Sequence, residues 1–238
     1  MLKLFKILIY LILLNGVFLN FSLLAVDCSI NPDQDTTISA DCDGFELIAN
    51  QDFDITIDSG ITLSDDSNGL VIDLATFNMT GTLINNGSVS TIQTKAITFV
   101  GGSINSIINN GTLAADSYTL DIDEAGNLIR FENTGTMSAS TIATVNVSLG
   151  SELTTFINSG TISALDQTIF LDGGTITTLN NSGTISSSGN TIDNFSGTLT
   201  TLLNSNTISS NGGVAVSNTA DASMGLINNS GNLLSETA

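Results

Sequence analysis

The chain is predicted to be all-β, a parallel β-helix solenoid. Three observations carry this: a repeat of about 24 residues, period-two apolar alternation inside the copies, and Gly, Asn and Ser at the corners between apolar pieces. Of its 238 residues, 26 are Asn and 22 Gly, against one Pro. There are 4 Lys or Arg, 23 Asp or Glu, no His and no Trp, for a net charge of −19. Without His there is no Ser-His or Cys-His nucleophile pair and no imidazole zinc ligand. So few cations leave no basic stripe for phosphates, which excludes nucleic acid as a partner. Disordered acidic chains lack the 41% hydrophobic content seen here.

Residues 1–25 start with Lys3 and Lys6, run through the apolar stretch from Ile7 to Leu14, and end on Ser22-Leu23-Leu24-Ala25, the layout of a secretory signal peptide cleaved near Ala25. A membrane anchor is the competing reading of this stretch, but Asn15, Gly16 and Asn20 interrupt it. Asp27 before Cys28 argues against lipid attachment. No later segment is apolar enough to cross a bilayer as a helix. After cleavage Lys95 and Arg130 stand against 23 acids, a net charge of −21. Cys28 and Cys42, 14 apart and delivered to an oxidising space, are expected to form a disulfide; a metal site would need a second pair of ligands.

Residues 26–77 hold 12 of the 23 acids, and Asp52-Phe53-Asp54-Ile55-Thr56-Ile57-Asp58 alternates acid with apolar. This segment is expected to be a strand-rich cap over the first coil's open edge. From residue 78 to 238 the repeat governs. Its anchors are Gly87, Gly111, Gly135, Gly160, Gly183, Asn206 and Gly231, at spacings of 24, 24, 25, 23, 23 and 25. Two residues earlier stand Asn85, Asn109, Asn133, Asn158, Asn181, Asn204 and Asn229. Positions four before and two after each anchor are apolar throughout; seven before, Thr80 is the one polar residue. A third cluster alternates: Ile97 and Phe99, Leu120 and Ile122, Val145 and Val147, Ile169 and Leu171, Val214 and Val216. A copy of three short strands cannot enclose a core alone, so about seven copies must stack at about 4.8 Å.

Two consequences are expected. The seven Asn residues form a structural amide ladder from coil to coil. The anchors, Gly six times and Asn once, adopt positive φ.

The segments Ile84-Asn85-Asn86-Gly87, Ile157-Asn158-Ser159-Gly160-Thr161-Ile162 and Asn180-Asn181-Ser182-Gly183-Thr184-Ile185, behind a signal peptide, resemble the passenger region of bacterial autotransporters and related secreted β-helix adhesins. The resemblance covers about residues 50–238. It implies a right-handed parallel β-helix on the outer surface of a Gram-negative bacterium, acting as adhesin or spacer toward a glycan or protein. It also implies a membrane barrel beyond residue 238, since the chain itself ends Ser235-Glu236-Thr237-Ala238. The last copy still carries Ile227, Asn229, Gly231 and Leu233, so the chain is expected to continue.

Other chemistries find less support. A polysaccharide-active β-helix enzyme needs convergent carboxylates or acids beside a cation. Here Asp65-Asp66 are adjacent, so a strand would point them to opposite faces, and Asp121 and Asp123 read as solvated strand charges. Neither the calcium nonapeptide nor an EF-hand loop is present, and Leu171-Asp172-Gly173-Gly174 reads as a turn. No cofactor is implied. Thr136-x-Ser138, Thr161-x-Ser163, Thr184-x-Ser186 and Thr207-x-Ser209 recur as hydroxyl rows; flat Thr rows are the pattern of ice-binding solenoids, from which Ser in place of the second Thr and Ala114 depart.

Overall fold

The computed structural model describes residues 28–31, 33–64, 70–74, 76–219 and 221–236. The signal peptide and the Asp65-Asp66 pair lie outside the described residues. Every regular element described is a β-strand, and all strand pairs within the sheets are parallel. No helix among these residues is long and apolar enough to cross a membrane.

One coil shows the design. Ser103–Asn109 lies in the first sheet (A), Thr112–Ala115 in the second (B) and Tyr118–Asp123 in the third (C), before Asn127–Asn133 returns to sheet A. Sheet A has nine strands, from Thr36–Ile38 to Ser223–Asn229; sheets B and C have eight each. The chain therefore makes about eight coils, one more than the repeat alone indicated. Each residue pairs with its counterpart one coil on, so like side chains stack in columns. Leu83, Ile107, Phe131, Phe156, Leu179 and Leu202 form one column, buried throughout. Within it the Phe131 and Phe156 rings meet edge to face at 5.3 Å. Val89, Leu113, Met137, Ile162, Ile185 and Ile208 form the column from sheet B. These facing columns make one continuous core inside the prism. Apolar side chains from all three sheets fill it because no single copy has enough apolar surface to exclude water.

Stacking begins earlier than the repeat does. Ile55–Ile57, Thr62–Ser64 and Leu70–Asp73 pair with the strands of the next coil, Ile55 opposite Leu83 and Leu63 opposite Val89. The boundary expected at residues 77 and 78 thus falls inside the solenoid; spacing there is irregular, which hides the periodicity. The disulfide between Cys28 and Cys42 closes the N-terminal end, with Cα atoms 5.4 Å apart. Two column assignments change. Met79, not Thr80, lies opposite Ile104, because a register shift between Met79 and Thr82 adds a residue to that strand. Val214 is exposed, and Val216 pairs with Ile192, so Asn194 and Asn218 occupy the place of Leu171 further along.

Candidate functional site

The seven repeated asparagines form the expected ladder. The Nδ2 of each of the first six donates to the Oδ1 of the next coil: Asn85 to Asn109 and Asn109 to Asn133 at 2.7 Å, then through Asn158, Asn181 and Asn204 at 2.8 Å, and from Asn204 to Asn229 at 2.6 Å. The Asn85 Oδ1, first in line, accepts from the Gly87 N–H at 3.1 Å. Asn85 through Asn204 are buried. Their amides are consumed by one another and by backbone carbonyls, so they hold the corner and offer nothing to a ligand.

The expectation of positive φ at Gly87, Gly111, Gly135, Gly160, Gly183, Asn206 and Gly231 is wrong. Left-handed residues lie instead at the turn from sheet C to sheet A, at Gly101, Gly102, Glu124, Ala125, Gly150 and Gly173, and in the N-terminal coils at Gly44 and Gly60. The anchor glycines are required by closeness. A Cβ on Gly135 or Gly160 would stand 2.0 or 2.1 Å from the carbonyl oxygen of the anchor one coil before. Asn206 shows the consequence of having a Cβ there: Thr207 N reaches Gly183 O at 3.3 Å, where the equivalent bond of Thr184 to Gly160 is 2.9 Å. Its Nδ2 compensates by donating to Ser182 O at 3.0 Å.

A second buried polar column was not expected. Thr119, Thr144, Thr168 and Thr191, all fully buried, donate Oγ1 to the carbonyls of Ser138, Ser163, Ser186 and Ser209 at 2.6 to 2.7 Å. Each bond ties sheet C of one coil to sheet B of the next. The signal was present as Thr immediately before the alternating pair, but hydroxyls in this Thr-rich sequence look alike. Acids near the N-terminus also have structural work. Asp35, Asp41 and Asp54 accept the backbone N–H of Asp54, Thr62 and Thr82 at 2.7 to 3.0 Å. Among the described residues, no three His, Cys, Asp or Glu side chains converge as metal ligands.

No protein family, characterised protein or solved structure matches this chain.

Three features stand out. Asp123, Glu124, Ser148, Leu149, Asp172, Gly173 and Ser196 line an open notch of about 500 Å³ at the corner between sheets C and A. Its Asp123 carboxylate accepts the Glu124 N–H and its Asp172 carboxylate accepts the Ser196 hydroxyl. On sheet C, Asp121 is buried rather than solvated, against the expectation. Lys95 Nζ lies 2.5 Å from its Oδ2 and Asn146 Nδ2 2.6 Å from its Oδ1. Tyr118 flanks them with its ring 5.8 Å from the ammonium. Burial raises the Tyr118 hydroxyl's pKa, the Asp121 carboxylate adds to this, and Lys95 opposes it. Sheet B, finally, has no charged residue in any of its eight strands. One outward row runs Thr62, Ser88, Thr112, Thr136, Thr161, Thr184, Thr207; the other runs Ser64, Ser90, Ala114, Ser138, Ser163, Ser186, Ser209.

Proposed function

We propose that the chain is a secreted or cell-surface β-solenoid acting as an adhesin or structural spacer, organised like an autotransporter passenger, with binding distributed along a strand face. The supporting observation is sheet B: a regular, hydroxyl-bearing face whose eight strands carry no charged residue, whereas strands of sheets A and C carry Glu132, Glu152, Asp123 and Asp172. Such a face meets an extended partner at many weak, equivalent points. It lacks the concave, convergent site that a small substrate or a reaction needs. Two measurements test this. Protease shaving and fractionation of the producing cell should place the chain outside the cytoplasm. Thr161→Glu with Thr184→Glu should reduce binding to cells or arrayed glycans while leaving thermal stability within a few degrees. Robust turnover of acidic or neutral polysaccharides would overturn this reading in favour of a β-helix enzyme.

The same face also suits ice. The outward Thr column is unbroken from Thr112 to Thr207, with rows about 4.8 Å apart along the axis and about 6.6 Å across the strand. A two-dimensional lattice of methyl and hydroxyl groups suits an ordered water surface such as ice. Thermal hysteresis that disappears in Thr161→Glu would favour ice binding over adhesion.

A further inference from the structure

We propose that Lys95 and Asp121 form an intramolecular amide cross-link between adjacent coils. Within residues 26–238 Lys95 is the sole lysine, and it sits on sheet C one coil from Asp121. The Asp121 side chain is 1% exposed and that of Lys95 32%. Among the described acids only Asp121 and Asp193 are buried. Condensation requires the neutral amine and the carboxylic acid, which the ion pair reaches by passing one proton from ammonium to carboxylate.

The surrounding groups suit condensation of that amine with that acid. Nζ stands 2.5 Å from Oδ2, one bond away from the carbon it would attack. The Asn146 amide points its Nδ2 at Oδ1 from 2.6 Å, where negative charge develops when Cγ becomes tetrahedral. The Thr98 hydroxyl lies 3.5 Å from Oδ2, the oxygen that departs. The Nζ lone pair attacks Cγ. A proton from Nζ passes to Oδ2, the Cγ–Oδ2 bond breaks, and water leaves; the product is the Nζ–Cγ amide. No oxidant, metal or co-reactant is consumed. Both charges vanish, and strands Lys95–Val100 and Tyr118–Asp123 become covalently joined. Asp193, next but two in the same column, has Ser217 and Phe170 as neighbours and no lysine, so the arrangement is particular to this pair of coils.

Trypsin and intact mass test the proposal on the full chain, denatured and reduced. Lys95 and Arg130 are the only tryptic sites after residue 6. The expected result is cleavage after Arg130, no cleavage after Lys95, and a peptide holding Lys95 and Asp121 that is one water lighter than its sequence. Lys95→Arg should restore the full mass and cleavage at position 95. Asn146→Ala should leave most of the chain at full mass, since the donor to Oδ1 is gone. Cleavage after Lys95 in the unmodified chain overturns the proposal, with or without water loss, because water loss alone then reports a succinimide elsewhere. Loss of ammonia in place of water also overturns it, by making Asn146 the acyl donor.

Discussion

At the scale of single residues, asparagine and glycine at this corner do different jobs. Asn181 donates to Asn204 and to the carbonyls of Gly183 and Thr207, and accepts from Asn158. Asn181→Ala strands the Asn158 donor and the Asn204 acceptor in a buried place, so a loss of about 1–3 kcal/mol is expected in denaturant unfolding. Unchanged stability with lost cell or glycan binding would show that the ladder serves a ligand. Gly160 has another reason to be there. In Gly160→Ala the new methyl carbon meets the Gly135 carbonyl, and the coils must part, at about 1–3 kcal/mol. The converse change, Asn206→Gly, removes the Cβ that lengthens the Thr207 bond but also the Asn206 bond to Ser182. It should therefore fall within about 0.5 kcal/mol of the parent; a larger loss would mean that Asn206 is more than a tolerated exception.

At the scale of elements, stability comes from what links neighbouring strands across the corners. The column Thr119, Thr144, Thr168 and Thr191 has Ala96 before it and Ala215 after it, so the hydroxyls occupy the middle coils alone. Thr144→Val keeps the shape and removes the donor to Ser163 O, with an expected loss of about 1 kcal/mol. Equilibrium unfolding of the Val and Ser variants separates the contributions: Ser should recover most of the loss if the hydrogen bond matters, and none of it if the methyl packing does. At the first coils the disulfide closes the loop from Cys28 to Cys42 and contributes roughly 3 kcal/mol in the chain-entropy account.

At the scale of the whole molecule, each coil touches only its neighbours, so a local change spreads along the axis through the sheets and the ladder. The pH response illustrates this. Tyr118 has a pKa raised above 10.0 in the folded chain, chiefly by burial, a cause that holds whether or not Lys95 and Asp121 are joined. The folded state therefore holds that proton more tightly than the unfolded state. Its contribution to stability is complete below pH 10.0 and is lost as pH rises through the folded value. Denaturant midpoints should fall from about pH 10 upward, and Tyr118→Phe should flatten that fall. An identical slope in the two proteins would place the alkaline transition elsewhere.

Much of the fold was legible because a solenoid is nearly one-dimensional. Position along a copy determines the column, and the column determines burial, so seven recurring asparagines and their apolar neighbours were enough to place the ladder, the core and the strands. The disulfide followed from two cysteines and their spacing. Three things waited for the tertiary structure. Glycine at a corner satisfies either a positive φ or a close approach, and only the distance from Gly160 to the Gly135 carbonyl showed which. Met79 entered the core through a register shift that a fixed spacing cannot express. Asp121 looked like any strand acid until the coils set Asn146, 25 residues on, in register with it and brought Lys95, 26 residues before and paired with Tyr118, within reach of its carboxylate. Contacts of that kind depend on pairing across coils, and no local pattern encodes them.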